Sequence, residues 1–157
     1  MSRNGSKFIT TVHTDDEFKN YIKKVLFNHM LLYNLGLEYI SSNPNFNPKK
    51  KKEHIKDYIV KHNIQEVILE SLAMELHYQN KKVKSGNYKE KLLTDIQYLT
   101  FTDNSISIDL DSHELFIKDI PGRAFIVDDI DKEIYLKRKY INLSYSSNKD
   151  KFELKLF

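Results

Sequence analysis

The sequence predicts an α+β fold, in which a helical lobe is inserted after the first strand of a small antiparallel β-barrel or curled antiparallel sheet. Two observations predict it. Apolar residues recur with a period of 3.6 through much of the first half of the chain, and from Ile96 onward they alternate with polar residues. Turn residues separate the later apolar segments at roughly regular spacing. We expect a first barrel strand in residues 1–13, a helical lobe in residues 14–94 and the other barrel strands in residues 95–157.

The first strand and the first helix have separate sequence signals. Residues 7–13 are rich in β-branched and aromatic side chains, and an isolated strand would leave an unpaired edge, so we expect this strand to pair with the C-terminal strands. Thr14 and Glu17 fit a capping box. The apolar pattern behind them predicts a helix over about residues 15–41, with His29 as a buried, hydrogen-bonded core histidine.

The rest of the lobe is expected to contain shorter helices. Two prolines and three asparagines in residues 43–48 break the first helix. Helical spacing resumes in residues 49–59, and a second capping-box pattern opens a helix over residues 63–79. A basic turn and a brief helix over residues 88–94 complete the lobe.

Six or seven short strands are expected in the second half. Each is marked by alternating apolar residues: Ile106, Ile108 and Leu110; Leu115 and Ile117; Phe125 and Val127; Ile134 and Leu136; Ile141, Leu143 and Tyr145; Phe152, Leu154 and Leu156. The acidic cluster in residues 128–133 lacks the glycine and the alternate spacing of a calcium-binding loop. We interpret it as a solvated turn between strands.

Several classes of protein are excluded or disfavoured by composition. The absence of cysteine excludes disulfide scaffolds, zinc knuckles, iron–sulfur clusters and thiol catalysis. No histidine pair has metal-ligand spacing, and no nucleophile elbow or phosphate-binding glycine loop is present. We therefore expect no enzyme activity, metal or cofactor. No long apolar run or secretory signal pattern occurs, which predicts a cytoplasmic protein without a membrane partner.

Basic residues concentrate in the first part of the chain. Residues 1–93 carry 16 basic and 10 acidic side chains (+6), whereas residues 94–157 carry 9 and 12 (−3). Such runs are commonly solvated surface, and the alternative is contact with nucleic-acid phosphates. Tyrosines near the runs, which are candidate stacking platforms, are Tyr58, Tyr88, Tyr135 and Tyr140. The candidate nucleic-acid-binding residues are Lys49, Lys50, Lys51, Lys52, Lys81, Lys82, Lys84, Tyr88, Lys137, Arg138 and Lys139.

A series of short motifs resembles a known family. In order along the chain they are Lys7-Phe8, Thr-Asp-Asp-Glu at residues 14–17, Leu-Tyr-Asn-Leu-Gly-Leu-Glu-Tyr-Ile at residues 32–40, Tyr-Leu-Thr-Phe-Thr-Asp-Asn-Ser-Ile at residues 98–106, Leu-Phe-Ile at residues 115–117 and Ile-Pro-Gly at residues 120–122. This order resembles the N-terminal part of TnpB-type proteins. These are RNA-guided nucleases of bacterial insertion sequences, related to compact type V CRISPR effectors.

The resemblance implies a barrel of the split oligonucleotide-binding type, the wedge domain, with a helical recognition domain inserted after its first strand. The sequence stops where that family continues into its RuvC nuclease domain, so no catalytic residue is carried over. The net acidic barrel half also departs from a family in which this part contacts guide RNA. The expected function is a non-catalytic nucleic-acid-binding module that binds RNA or DNA, with structured RNA or a duplex lying against the basic helical lobe. It is expected to act either as a free-standing remnant with a regulatory role or together with a separate nuclease chain. The alternative is a phage or mobile-element protein that binds and inhibits a host protein.

Overall fold

The computed structural model describes residues 5–42, 96–102 and 105–157, together with Glu53, Asp57, Ser71, Leu72 and Glu75. The chain divides into two compact units. The barrel unit comprises Met1–Lys24 and Asp95–Phe157, and the second unit comprises Val25–Thr94. The boundary between the two units falls between Lys24 and Val25.

Seven strands form one antiparallel sheet that curls into a nearly closed barrel, with a helix directly after the first strand. The strands are β1 (Phe8–Thr14), β2 (Ile96–Phe101), β3 (Ile106–Ile108), β4 (Glu114–Ile117), β5 (Ala124–Ile126), β6 (Ile141–Ser146) and β7 (Lys151–Leu156), and the helices are α1 (Asp16–Ser42) and α2 (Lys132–Leu136). The order across the sheet is β2-β6-β7-β1-β5-β4-β3. The predicted α+β class is confirmed.

Strand β1 lies in the middle of the sheet. It pairs with β7 in a register that sets Thr10 opposite Leu154, and with β5 in a register that sets Val12 opposite Ile126. The backbone N–H of Lys7 adds a bond of 2.7 Å to the carbonyl of Leu156. The prediction that the N-terminal strand pairs with C-terminal strands is therefore confirmed.

The alternating pattern of the strands produces the barrel core. Every second residue of β6 and β7 is buried, as the period of two in a strand requires. Leu143 is paired with Leu99 on one side and with Leu154 on the other, and all three side chains are fully buried. These three leucines form a continuous row across β2, β6 and β7.

The start of α1 differs from the predicted capping box. Thr14 is the last residue of β1, paired with Ala124, so its backbone is committed to the sheet. Asp15 makes the cap, because its Oδ1 accepts the Phe18 N–H at 2.8 Å. Its Oδ2 also accepts the Arg123 N–H at 2.9 Å, so one carboxylate joins the helix start to the turn before β5.

The predicted strand at Ile134 and Leu136 is wrong, because this segment forms α2. Asp131 Oδ1 accepts the N–H groups of Glu133 at 2.8 Å and Ile134 at 3.2 Å, which stabilises a helical turn that apolar spacing alone did not reveal. The remaining carboxylates of the acidic cluster are exposed, as predicted for a turn. Asp128 accepts a bond from Thr10 and Asp129 lies 2.6 Å from His113. Among the described residues, no group of acidic and histidine side chains could hold a metal ion.

In the second unit, the described residues beyond α1 are helical. The rest of the predicted helices in residues 49–59, 63–79 and 88–94 lies outside the described residues. His29 is buried and its Nε2 lies 2.8 Å from Ser71 Oγ, which confirms the predicted core histidine. Within the described parts of the chain, no helix has the length and apolar character needed to cross a membrane.

Candidate nucleic-acid interface

The structure describes three of the predicted nucleic-acid-binding residues: Lys137, Arg138 and Lys139. The others lie outside the described residues: Lys49, Lys50, Lys51, Lys52, Lys81, Lys82, Lys84 and Tyr88. The described part of the candidate interface therefore lies on the barrel unit, in the segment that connects α2 to β6.

Backbone hydrogen bonds fix both ends of the basic segment formed by Lys137, Arg138 and Lys139. The Lys137 N–H caps α2 with a bond of 3.0 Å to the Glu133 carbonyl. The Lys139 N–H donates to the Phe157 carbonyl at 2.6 Å, and the Phe157 N–H donates to the Tyr140 carbonyl at 3.0 Å. These two bonds extend the β6–β7 ladder beyond its last paired residues, so the segment is fixed to the end of the sheet.

The guanidinium of Arg138 has a defined position. It lies 4.1 Å above the ring centre of Tyr135, and its Nη1 donates to the Tyr135 carbonyl at 2.7 Å. The Tyr135 hydroxyl in turn accepts the Ile108 N–H of β3 at 3.1 Å. Arg138 is thus held through Tyr135 to the barrel, and a cation fixed in this way loses little side-chain freedom when it binds an anion.

Lys7 joins this segment because β1 lies beside β7. Its backbone bond to Leu156 places it at the same end of the sheet as Lys139, and both lysine side chains are exposed. Within the described part of the chain, neither side chain has a hydrogen bond or ion pair. Lys137 pairs with Glu133 at 2.6 Å, but both side chains are more than 70% exposed, so this pair is weak. We call Lys7, Lys137, Arg138 and Lys139 the basic corner.

The basic corner surrounds a depression of about 240 Å³. The remaining lining residues are Ile134, Leu156 and Phe157, which are apolar, and Glu133. The Phe157 ring stacks on Tyr140 with ring centres 4.6 Å apart and planes 16° apart. Four basic side chains against one acidic side chain, beside an aromatic stack, provide both phosphate contacts and a stacking surface.

Among the lining residues that the sequence did not indicate as binding residues, Lys7 supplies a further cation and Phe157 supplies the aromatic ring. Both are brought to the basic corner by strand pairing, Lys7 through β1–β7 and Phe157 through the extension of β6–β7. The expected pairing of the first strand with the C-terminal strands was a signal for Lys7. The register of that pairing places the Lys7 side chain. Alternation fixes which face of a strand is buried, but a shift by two residues keeps the same face, so the pattern alone does not select the register.

A second charged cluster lies at the other end of the β6–β7 hairpin. Lys19 Nζ lies 2.7 Å from Asp150 Oδ2, the Tyr145 hydroxyl donates to the same carboxylate, and Lys23 lies 5.2 Å from the Tyr145 ring centre. Hydrogen bonds from Lys19 and Tyr145 hold the pKa of Asp150 below its ordinary value of 3.8. The bond to Asp150, together with burial, raises the pKa of Tyr145 to about 12. Lys19 and Asp150 form an ion pair in which their charges cancel, so this cluster is less suited to binding phosphate than the basic corner.

This cluster predicts a pH-dependent contribution to stability. Because the pKa of Asp150 is lower in the folded chain, its contribution is present above pH 3.8 and is lost as the pH falls through the folded-state pKa. At pH 7 we expect Asp150→Asn to have a smaller free energy of unfolding than the wild type, with the difference shrinking as the pH falls below 3.8. Urea unfolding at each pH measures it, with Asp111→Asn as the control for an exposed carboxylate. A difference in free energy of unfolding between Asp150→Asn and the wild type that stays constant with pH would contradict the lowered pKa of Asp150.

Comparison with known proteins gives no further support for a family, since no family model and no curated protein matches the chain. The resemblance to TnpB-type proteins therefore stays a prediction.

Proposed function

We propose that this protein is a non-catalytic nucleic-acid-binding module that holds the phosphate backbone of RNA or DNA at the basic corner. The observation that carries the proposal is the convergence of Lys7, Lys137, Arg138 and Lys139 around a depression lined by an aromatic ring. Neutralising phosphates with lysine and arginine releases bound counterions and gives affinity that is independent of sequence. The resemblance to the guide-RNA- and DNA-binding part of TnpB-like proteins is consistent with this role.

The residue types at the basic corner favour contact with the backbone over reading of base identity. Three of its four cations are lysines, which act as point charges, and the guanidinium of Arg138 is engaged with Tyr135. Bidentate recognition of a guanine edge needs a free arginine fork. We therefore expect similar affinities for different sequences of one length.

Two triple variants with the same change of charge test the proposal. The first replaces Lys7, Lys137 and Lys139 by glutamine and leaves Arg138 in place, because that side chain packs on Tyr135. The matched control replaces three other exposed lysines of the barrel unit by glutamine: Lys118, Lys149 and Lys151. Both remove three positive charges from exposed positions, so a difference between them reports location and not net charge.

We expect the basic-corner variant to weaken binding of a fluorescent oligonucleotide at least about tenfold at 0.1 M salt, and the control variant to change it less than about threefold. Fluorescence anisotropy measures both affinities. Circular dichroism confirms that each variant is folded, since exposed substitutions change stability by about 0.5 kcal/mol or less. Equal losses in the two variants would remove the basis for a site at the basic corner.

A second candidate function is binding and inhibition of a host protein, as expected for a phage or mobile-element protein. Four large apolar side chains of the barrel unit are exposed: Ile9, Phe116, Val127 and Leu136. Scattered exposed apolar residues are normal on soluble surfaces, so this observation is weaker than the convergence of four cations. The second function predicts no nucleic-acid affinity at physiological salt. It also predicts a partner protein whose recovery is lost in the Ile9→Asp and Phe116→Asp variants.

A further inference from the structure

The depression at the basic corner has an interior unlike its rim. Ile134, Leu156 and Phe157 are apolar and are less exposed than Lys7, Lys137 and Lys139, so the lysines supply charge at the outer edge of an apolar lining. Glu133 also lines the depression, and its negative charge disfavours a phosphate group inside. The interior therefore suits a flat, largely apolar group that carries hydrogen-bond donors, with phosphates on either side held by the rim.

Phe157 is held in a fixed position that suits stacking with a nucleobase. Phe157 lines the depression, and its ring stacks on that of Tyr140, with ring centres 4.6 Å apart and planes 16° apart. Backbone bonds to Lys139 and Tyr140 hold Phe157 in place. An aromatic ring fixed in this way offers a face for a nucleobase at little cost in side-chain entropy.

A base paired within a duplex cannot fill such a depression. A duplex presents phosphates, sugars and base edges to a protein, and its base faces are covered by their neighbours in the stack. A single strand offers bases whose faces are free. The size of the depression, about 240 Å³, is below that of ordinary small-molecule pockets, which suits one base.

We propose that the basic corner selects single-stranded nucleic acid by stacking one unpaired base on Phe157, while Lys7, Lys137 and Lys139 hold the flanking phosphates. This inference rests on the proposed function and adds to it the class of nucleic acid that is bound.

Anisotropy with three probes of one sequence tests this: a 12-nucleotide DNA strand, the matching RNA strand, and the DNA strand paired within a hairpin-capped duplex. We expect at least one single strand to bind about tenfold more tightly than the duplex. Phe157→Leu keeps an apolar side chain and should remove most of this preference, so that the single-strand and duplex affinities of this variant become similar. Phe116→Leu, which changes an exposed aromatic residue on β4 outside the depression, is the control and should alter neither affinity.

A second measurement uses the unaltered protein. Single strands containing 5-iodouracil are expected to photocrosslink to Phe157 or Tyr140, with the site located by mass spectrometry. Duplex affinity equal to single-strand affinity, or crosslinks confined to other residues, would overturn the inference and leave the proposed function standing. Absence of binding to all three probes at 0.1 M salt would overturn the proposed function itself.

Discussion

Replacement of Gly122 by alanine is expected to lower the free energy of unfolding by about 4 kcal/mol. Gly122 has φ of +86°, which costs an alanine about 1–2 kcal/mol. An added Cβ would also overlap the backbone nitrogen of Phe18. It would lie 2.9 Å from the Cα of Phe18 and 2.5 Å from Asp15 Oδ1. Those atoms belong to the capped first turn of α1, so relief of the clash requires moving the helix start away from the turn before β5.

Gly5→Ala is the matched control for this substitution. No atom lies within 4 Å of the Cβ that alanine would add at Gly5, so we expect a change within about 0.5 kcal/mol. Guanidinium unfolding followed by circular dichroism compares the two variants. Similar stabilities for Gly122→Ala and Gly5→Ala would contradict the close approach of the turn to the helix start.

Leu143→Ala is expected to lower the free energy of unfolding by about 3 kcal/mol. The side chain is fully buried at the centre of the leucine row that crosses β2, β6 and β7, so its removal leaves a cavity that flanking strands cannot close. Leu136→Ala provides the control with the same chemical change, because Leu136 is 66% exposed, and should alter stability by about 0.5 kcal/mol or less. Equal losses at the two leucines would contradict the placement of Leu143 in the core.

Periodicity predicted the barrel because burial on one face of a strand imposes alternation, and residues such as Leu143 and Leu154 carry that pattern. It misassigned α2 because Ile134 and Leu136 also alternate over a segment too short to distinguish the two periods. The interaction that favours a helix over a strand in this segment is the cap at Asp131, whose Oδ1 accepts the N–H groups of Glu133 and Ile134. At the start of α1, Asp15 took the capping role because pairing with β5 held Thr14 in the strand.

The candidate site also contains residues that the sequence indicated and residues that it did not. Lys137, Arg138 and Lys139 are adjacent in the sequence, so their charge was visible as a run. Lys7 and Phe157 lie far apart in the sequence and reach the same place only through the pairing of β7 with β1 and β6. Strand order and register between distant segments are set by the packing of the whole barrel, and a single sequence does not display them.

The salt dependence of oligonucleotide affinity tests the central claim most directly, because it counts the phosphates that the protein neutralises. Plotted as log K against log salt, each lost phosphate contact flattens the slope by about 0.7 to 0.9. For the variant with glutamine at Lys7, Lys137 and Lys139, a nucleic-acid site at the basic corner predicts a slope shallower than wild type by about 2 to 3, with the slope of the matched control unchanged. A wild-type protein with no measurable affinity, or a variant whose slope equals that of the wild type, would contradict it.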